Sequence, residues 1–226
     1  MKILAIDVGG THVKFLASGE KQMREFDSTR KLSAAQMAKK VQEATKDWSC
    51  NVVSIGYPGL VVHGKPAHEP VNLGKGWVGF DFQAAFSRPV KLINDAAMQA
   101  LGSYEGGRML FLGLGTGLGS AMIVDNHIEA MELAHLPYKK GRSFEYYVGK
   151  CGLERMGKKK WRRTVADVIE KLNAALEPEY VVLGGGNAKK LAELPPGTRL
   201  GNNANAFVGG FRLWDAERSE SKESKS

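Results

Sequence analysis

Two short strings in the chain combine the residue types that handle phosphate. The first is Asp7-Val8-Gly9-Gly10-Thr11, with Lys14 three residues further on. Glycines let a backbone approach phosphate oxygens closely and present its N–H groups to them. Asp7, at the end of an apolar run, can hold Mg2+ directly or through water. Thr11 can donate its hydroxyl, and Lys14 adds positive charge. The competing reading of this string is a Gly-Gly hairpin with an incidental Asp. The second string is LGLGTGLGS over 112–120, in which Gly115, Thr116 and Gly117 form the centre of a strip of bare backbone amides. It does not fit a dinucleotide-binding fingerprint: counted from Gly113 or Gly115, the last glycine position holds Leu118 or Ser120, and a strand (SAMIV) follows where that motif needs a helix. No G-K-S/T occurs, so it is not a P-loop either. A third segment, Gly184-Gly185-Gly186-Asn187, follows the apolar run YVVL and can lie flat against an adenine or ribose, or simply turn the chain.

Asn94-Asp95 falls where a strand pattern gives way to a helix pattern. A carboxylate there can take the proton of a hydroxyl attacking phosphorus. Phosphoryl transfer asks little more of a protein than positioning, a metal and neutralising charge. The bland alternative is that Asn94 or Asp95 caps the helix. Glu132 and His135, in the string ELAH, offer an acceptor and a donor-or-acceptor to sugar hydroxyls, and Asn72 in VNLGKGW is a further polar candidate on a loop. Trp77 can stack on a sugar face or anchor its loop. His135 lacks partners for a zinc site, since only Cys151 is near in sequence.

The elements that must position these residues can be read from periodicity. Strands are expected at 2–7, 11–18, 21–27, 51–56 and 89–93. Ser33 can cap a helix over 34–48, and further helices are expected near 80–87 and from Asn94 to about 104. A loop is expected over 63–76. The pattern then restarts: strands at 108–114, 120–124, 127–131 and 180–183, and helices near 142–150, 160–176 and 204–214. Each half thus reads strand, glycine turn, strand, strand, helix, strand, glycine-containing turn. Two such α/β halves predict a nucleotide clamp between lobes: an N-terminal lobe over 1–106, a C-terminal lobe over 107–214, and a disordered polar tail over 215–226.

Composition sets the outer limits. The 226 residues carry 43% hydrophobic and 25% charged side chains, the balance of an ordinary globular chain. No apolar run is long enough for a membrane helix, and MKILAID has no leader-like cleavage site, so no membrane partner is expected. Two distant cysteines, Cys50 and Cys151, have no metal spacing and fit a reducing cytoplasm. The formal charge of +8 fits an anionic partner or a solvated basic surface. The run Lys158, Lys159, Lys160, Arg162 and Arg163, with Lys139 and Lys140 upstream, suits a polyanion such as polyphosphate or is an exposed helix start. No recognised nucleic-acid module or aromatic–basic interleaving is present, so nucleic acid is not an expected partner.

Taken together these strings resemble the ROK family of sugar kinases, and within it the polyphosphate glucokinases, from about residue 2 to about 212. DVGGTHVK and LGLGTGLGSA are similar to the two phosphate motifs of the family, IGYPGLV to its Pro-Gly segment, and VVLGGGNAKK and NAFVGGFRL to its adenosine and second connecting segments. INDAAMQALG resembles the segment with the catalytic Asp, and ELAH resembles E-L-G-H. The resemblance implies an actin-like ATPase (ribonuclease H-like) duplicated fold, with two lobes around a central cleft. It implies Asp95 as general base, with Gly59, Asn72, Asn94, Glu132 and His135 around a hexose such as glucose. It implies Asp7 with Mg2+, and ATP or polyphosphate as phosphoryl donor to the 6-hydroxyl. A homodimer is expected by the same analogy. Three departures stand out. Ala134 replaces a glycine and is expected to crowd the sugar pocket. The cysteine motif of many zinc-holding members is missing, so no zinc is expected. The first strand begins at Lys2, which leaves no room for the helix-turn-helix of the repressor members. A catalytically weak sugar- or nucleotide-binding protein of the same fold is the alternative.

Overall fold

The computed structural model describes residues 1–202 and 204–215. The tail expected over 215–226 lies outside the described residues beyond Asp215. The chain forms two compact units: residues 1–102 with the described chain from Ala206 on, and Ser103–Asn205.

In the first unit, β1 (Ile3–Val8) is followed by β2 (His12–Ala17) and β3 (Arg24–Asp27) as an antiparallel meander. Helix α1 (Ala34–Ala44) begins at a capping box, in which Ser33 Oγ accepts the Gln36 N–H and Gln36 Oε1 accepts the Ser33 N–H. It buries Ala34, Met37, Ala38 and Val41. β4 (Val52–Tyr57) runs parallel to β1. The expected loop over 63–76 opens as the turn of a small hairpin between β5 (Val61–Val62) and β6 (Lys65–Pro66), with His63 and Gly64 at positive φ. Helix α2 (Phe82–Phe86), β7 (Val90–Asn94) and α3 (Asp95–Ser103) follow. The sheet order is β3-β2-β1-β4-β7. β4 is buried at every position and β1 at all but Asp7, so both read as near-continuous apolar runs.

The second unit repeats this plan. β8 (Arg108–Leu114), β9 (Leu118–Val124) and β10 (His127–Met131) form the meander. Helices α4 (Phe144–Val148) and α5 (Lys150–Leu176) follow, then β11 (Tyr180–Gly184) and β12 (Thr198–Leu200). The order β10-β9-β8-β11-β12 matches the first sheet strand for strand. The two helices expected at 142–150 and 160–176 are arranged differently. α5 starts at Lys150 and is broken at Gly157, whose φ of 73° no helix accommodates. The three-residue β12 carried no periodic signal.

Helix α6 (Asn205–Arg212) corrects the expected lobe boundaries. The sequence assigns it to the second half, yet from Ala206 it belongs to the first unit. Its bare glycines lie directly against α3 and β1: a Cβ on Gly209 would stand 1.8 Å from the Met98 carbonyl oxygen, and one on Gly210 2.7 Å from Ala5 Cβ. Ser54 of β4 donates to the Gly210 carbonyl and accepts from Trp214 Nε1 at 2.9 Å, both within a buried site. Among the described residues, no helix is long and apolar enough to cross a membrane. Gly209→Ala is expected to force α6 off α3 and lower stability by roughly 1–3 kcal/mol, read as a drop in the denaturant midpoint.

Candidate functional site

In the first unit the ends of strands build the site. β1, β4 and β7 are parallel, so their C-terminal ends emerge on one edge of the sheet. That edge carries Asp7, the Pro58-Gly59 turn and Asn94-Asp95. Asp7 pairs in register with Gly56, and Gly56 pairs with Ile93. The Asp7 strand and the strand entering α3 are therefore two spacings apart, roughly 10 Å. A Cβ on Gly56 would lie 3.4 Å from Asp95 Cα, so α3 starts directly over β4. Asn72 reaches the same edge from the loop after β6: a Cβ on Gly10 would lie 3.5 Å from Asn72 Cβ.

Asn94 is the residue that caps α3. Its Oδ1 accepts the Ala97 N–H at 3.0 Å, while its Nδ2 donates to the Gly59 carbonyl at 3.1 Å. Asp95 is the first helical residue, its Oδ1 accepting the adjacent Ala96 N–H at 2.8 Å. Its carboxylate thus stands at the positive end of the helix. The cap that competes with a chemical role for this pair falls on Asn94.

Asp7 and Lys14 are cross-strand partners on β1 and β2. Burial pushes the Asp7 carboxyl up to about 6, against the pull of the Lys14 ammonium. The turn after Asp7 is fixed by Ser28, which sequence reasoning missed. Its hydroxyl donates to the Gly9 carbonyl at 2.7 Å, and its N–H donates to the Thr11 carbonyl at 2.9 Å. Only the register of β2 on β3 places it there; a lone serine gives no signal in sequence. Gly10 and Thr11 are exposed.

In the second unit β8 and β11 are parallel, and both predicted glycine segments leave from one edge of their sheet. Gly185, at φ 79°, lies on the backbone of Leu114, where a Cβ would stand 2.5 Å from the carbonyl oxygen. Asn187 joins the segments: its N–H donates to the Leu114 carbonyl and its Nδ2 to the Gly115 carbonyl, each at 2.9 Å. Its position directly after three glycines was the available signal. The turn is also held from α4 and α5. The Glu145 carboxylate lies over Gly117 and accepts the Leu118 N–H at 3.3 Å, and Lys150 N–H donates to the Thr116 carbonyl.

Glu132 and His135 are exposed at the end of β10. Ser120 fixes the chain on both sides of Glu132, donating to the Met131 carbonyl at 2.6 Å and accepting the Leu133 N–H at 3.2 Å. Ala134 is 3% exposed and packs into the core of its unit. Asp7, Gly59, Asn72, Asn94 and Asp95 belong to the first unit; Gly115, Thr116, Gly117, Glu132, His135, Gly184, Gly185 and Gly186 belong to the second.

Lys158, Lys159, Lys160 and Arg163 are exposed just after the break at Gly157. Arg162 Nε donates to the Lys190 carbonyl at 2.6 Å, and Lys190 Nζ donates to Asn187 Oδ1 at 2.7 Å. The basic run therefore connects to the second glycine turn. Lys139 does not join it, being paired with Asp167 at 3.2 Å.

Residues 3–154 match the model of the ROK family. Polyphosphate glucokinase of Mycobacterium tuberculosis is 27% identical over an alignment of 159 residues that covers 64% of this chain and 59% of that protein. The chain thus matches less than two thirds of the length of this curated relative. Among solved structures, the inorganic polyphosphate/ATP-glucomannokinase of Arthrobacter sp. strain KM superposes with a TM-score of 0.82 at 23% identity, covering 96% of this chain and 99% of that one. A ROK family glucokinase of Streptomyces griseus, solved with glucose and AMPPNP, gives 0.80 at 15% identity, with 94% and 99% covered. The fold is the actin-like ATPase fold these structures share.

The raised Asp7 carboxyl has a consequence for stability. Its folded pKa of about 6 exceeds the ordinary 3.8, so between these values the folded chain binds more protons than the unfolded one. Stability is expected to fall as pH rises from about 4 to about 6, by at most about 3 kcal/mol. Thermal unfolding in metal-free buffer should show this slope, and Asp7→Asn should flatten it.

Proposed function

The chain belongs to the ROK family, and from that premise we propose that it is a sugar kinase, transferring a phosphoryl group from ATP or polyphosphate to the 6-hydroxyl of glucose or a similar hexose, with Asp95 as general base. The observation that carries this reading is the shared edge of the first sheet. There backbone register sets a charged strand end (Asp7) and a carboxylate at a helix start (Asp95), and a loop brings an amide (Asn72) against Gly10. Each has the chemistry that one part of phosphoryl transfer requires.

In the reaction the sugar oxygen forms the new bond to phosphorus, the bond to the donor's bridging oxygen breaks, and its electron pair leaves with the donor. The hydroxyl proton passes to the Asp95 carboxylate. Asn94, fixed between Ala97 and Gly59, holds the chain so that this carboxylate keeps its place. Asn72 of the first unit is a candidate ligand for sugar hydroxyls, and Glu132 and His135 are the candidates of the second, each taken within its own unit. In each unit taken by itself, the backbone amides of the glycine turn, Gly9-Gly10-Thr11 in the first and Gly115-Thr116-Gly117 in the second, are suited to phosphate oxygens. Asp7 fits Mg2+: it is a single carboxylate, and no cluster of three or more metal-ligating side chains occurs among the described residues. An ion held chiefly by waters and substrate phosphates needs no more. Such an ion supplies positive charge to the transferring group.

The connected path from Lys158 through Arg162 and Lys190 to Asn187 favours polyphosphate as a donor alongside ATP, because a long polyanion can follow it past the glycine turn. The alternative is a catalytically weak protein of the same fold that binds sugar or nucleotide without turnover.

Product formation from glucose and Mg2+ should be observed with ATP and polyphosphate side by side. Asp95→Asn is expected to lower kcat by roughly 10²–10⁴-fold with the fold intact. Binding of glucose without turnover by any donor would overturn the kinase reading. Changing Lys158, Lys159 and Arg163 together to Ala is expected to raise the KM for polyphosphate and weaken its salt dependence, leaving the KM for ATP unchanged.

A further inference from the structure

Asn72 lies on a loop whose two limbs are held in different ways. The far limb is pinned to the chain before α1. Gly74 N–H donates to the Leu32 carbonyl at 3.0 Å, and Trp77 Nε1 donates to the same oxygen at 3.2 Å. Gly74 sits so close that a Cβ would stand 2.6 Å from the Lys31 carbonyl. Trp77 is fully buried and packs on Tyr57 and Phe82. None of these contacts touches the near limb, Pro70-Val71-Asn72.

The near limb is secured by Glu69. Its Oε1 accepts the N–H of Gly76 at 3.1 Å and of Val78 at 3.4 Å, and its Oε2 accepts the N–H of Trp77 at 3.1 Å. One carboxylate thus closes the neck of the loop across three consecutive amides. Just before it, Tyr57 hydroxyl donates to the His68 carbonyl at 2.7 Å, tying the approach to the neck to the end of β4. Partial desolvation raises the Glu69 carboxyl, but the three amides and Lys75 outweigh it and hold the group below the usual glutamate range. Charge-assisted bonds of this kind are about twice as strong as neutral ones. Within the closed loop Pro70 and Leu73 are buried, while Val71 between them is 94% exposed. The next residue, Asn72, is set against Gly10.

We propose that Glu69 is the positioning residue for Asn72: by closing the neck of the 69–78 loop on the Gly76–Val78 amides, it fixes the amide that meets the sugar. This rests on the reading of Asn72 as a sugar ligand. Glu69 acts through the backbone and touches neither sugar nor donor.

The test is Glu69→Ala beside Glu69→Gln, which keeps the shape and one acceptor oxygen but loses the charge. Glu69→Ala is expected to raise the KM for glucose by roughly tenfold or more, with kcat within about threefold and the donor KM unchanged. Glu69→Gln should fall between it and the parent. A merely structural role would shift donor KM and kcat as well. Amide exchange at Gly76, Trp77 and Val78, the three amides bonded to Glu69, should accelerate in Glu69→Ala. An unchanged glucose KM in Glu69→Ala overturns the proposal. If the parent protein turns over no sugar, the kinase reading fails on its own, and exchange at Gly76, Trp77 and Val78 decides for the neck: an unchanged rate there overturns it.

Discussion

Burial of the central strands on both faces is the constraint from which the rest follows. β4 has no exposed position, and β1 relaxes only at Asp7. Polar chemistry cannot be carried along such strands without desolvating it, so it collects where they end. Parallel pairing of β1 with β4 and of β4 with β7 then brings three strand ends to one edge. The same constraint operates in the second unit, where β8 and β11 run parallel and deliver the two glycine segments together. The site of each unit is a by-product of how its core is closed.

This explains what was legible beforehand. Strands buried on both faces write themselves as apolar runs, and a run that stops at Asp7, Pro58 or Asn94 announces its own end. The duplication was legible for the same reason, since both halves repeat run, glycine turn and meander. Three things were not. The kinked start of α5 depends on one φ value at Gly157, which composition does not specify. Ser28 and Ser120 act through hydrogen bonds to backbone atoms of neighbouring strands and turns, and such bonds leave no periodic trace. The assignment of α6 to the first unit depends on steric fit: Gly209 and Gly210 were visible as glycines, but which backbone they approach was not.

The two units treat charge differently. Next to its glycine turn the first unit carries the raised Asp7 carboxyl and Lys14, the latter also 3.9 Å from Glu25, while the turn itself is tied by neutral bonds through Ser28. The second spreads positive charge along an exposed helix start and links it by Arg162 and Lys190 to Asn187. A localised charge suits one ion or one phosphate; a distributed one suits a chain of them. Surface ion pairs such as Lys139–Asp167 contribute little to either, because solvent screens them.

The return of α6 to the first unit has a consequence for the order in which the molecule assembles. Ser54 and Trp214 are 160 residues apart, yet they share a buried hydrogen bond. The first unit is therefore discontinuous in the chain, and the second is a continuous insertion within it. During synthesis the second unit can condense as soon as Asn205 has emerged. The first unit must wait, with the α6 side of α3, β1 and β4 uncovered, until the chain beyond Ala206 arrives. Domains made late from early strands are the ones that expose apolar surface longest on the ribosome. Of the two, the unit synthesised first is the one that finishes last.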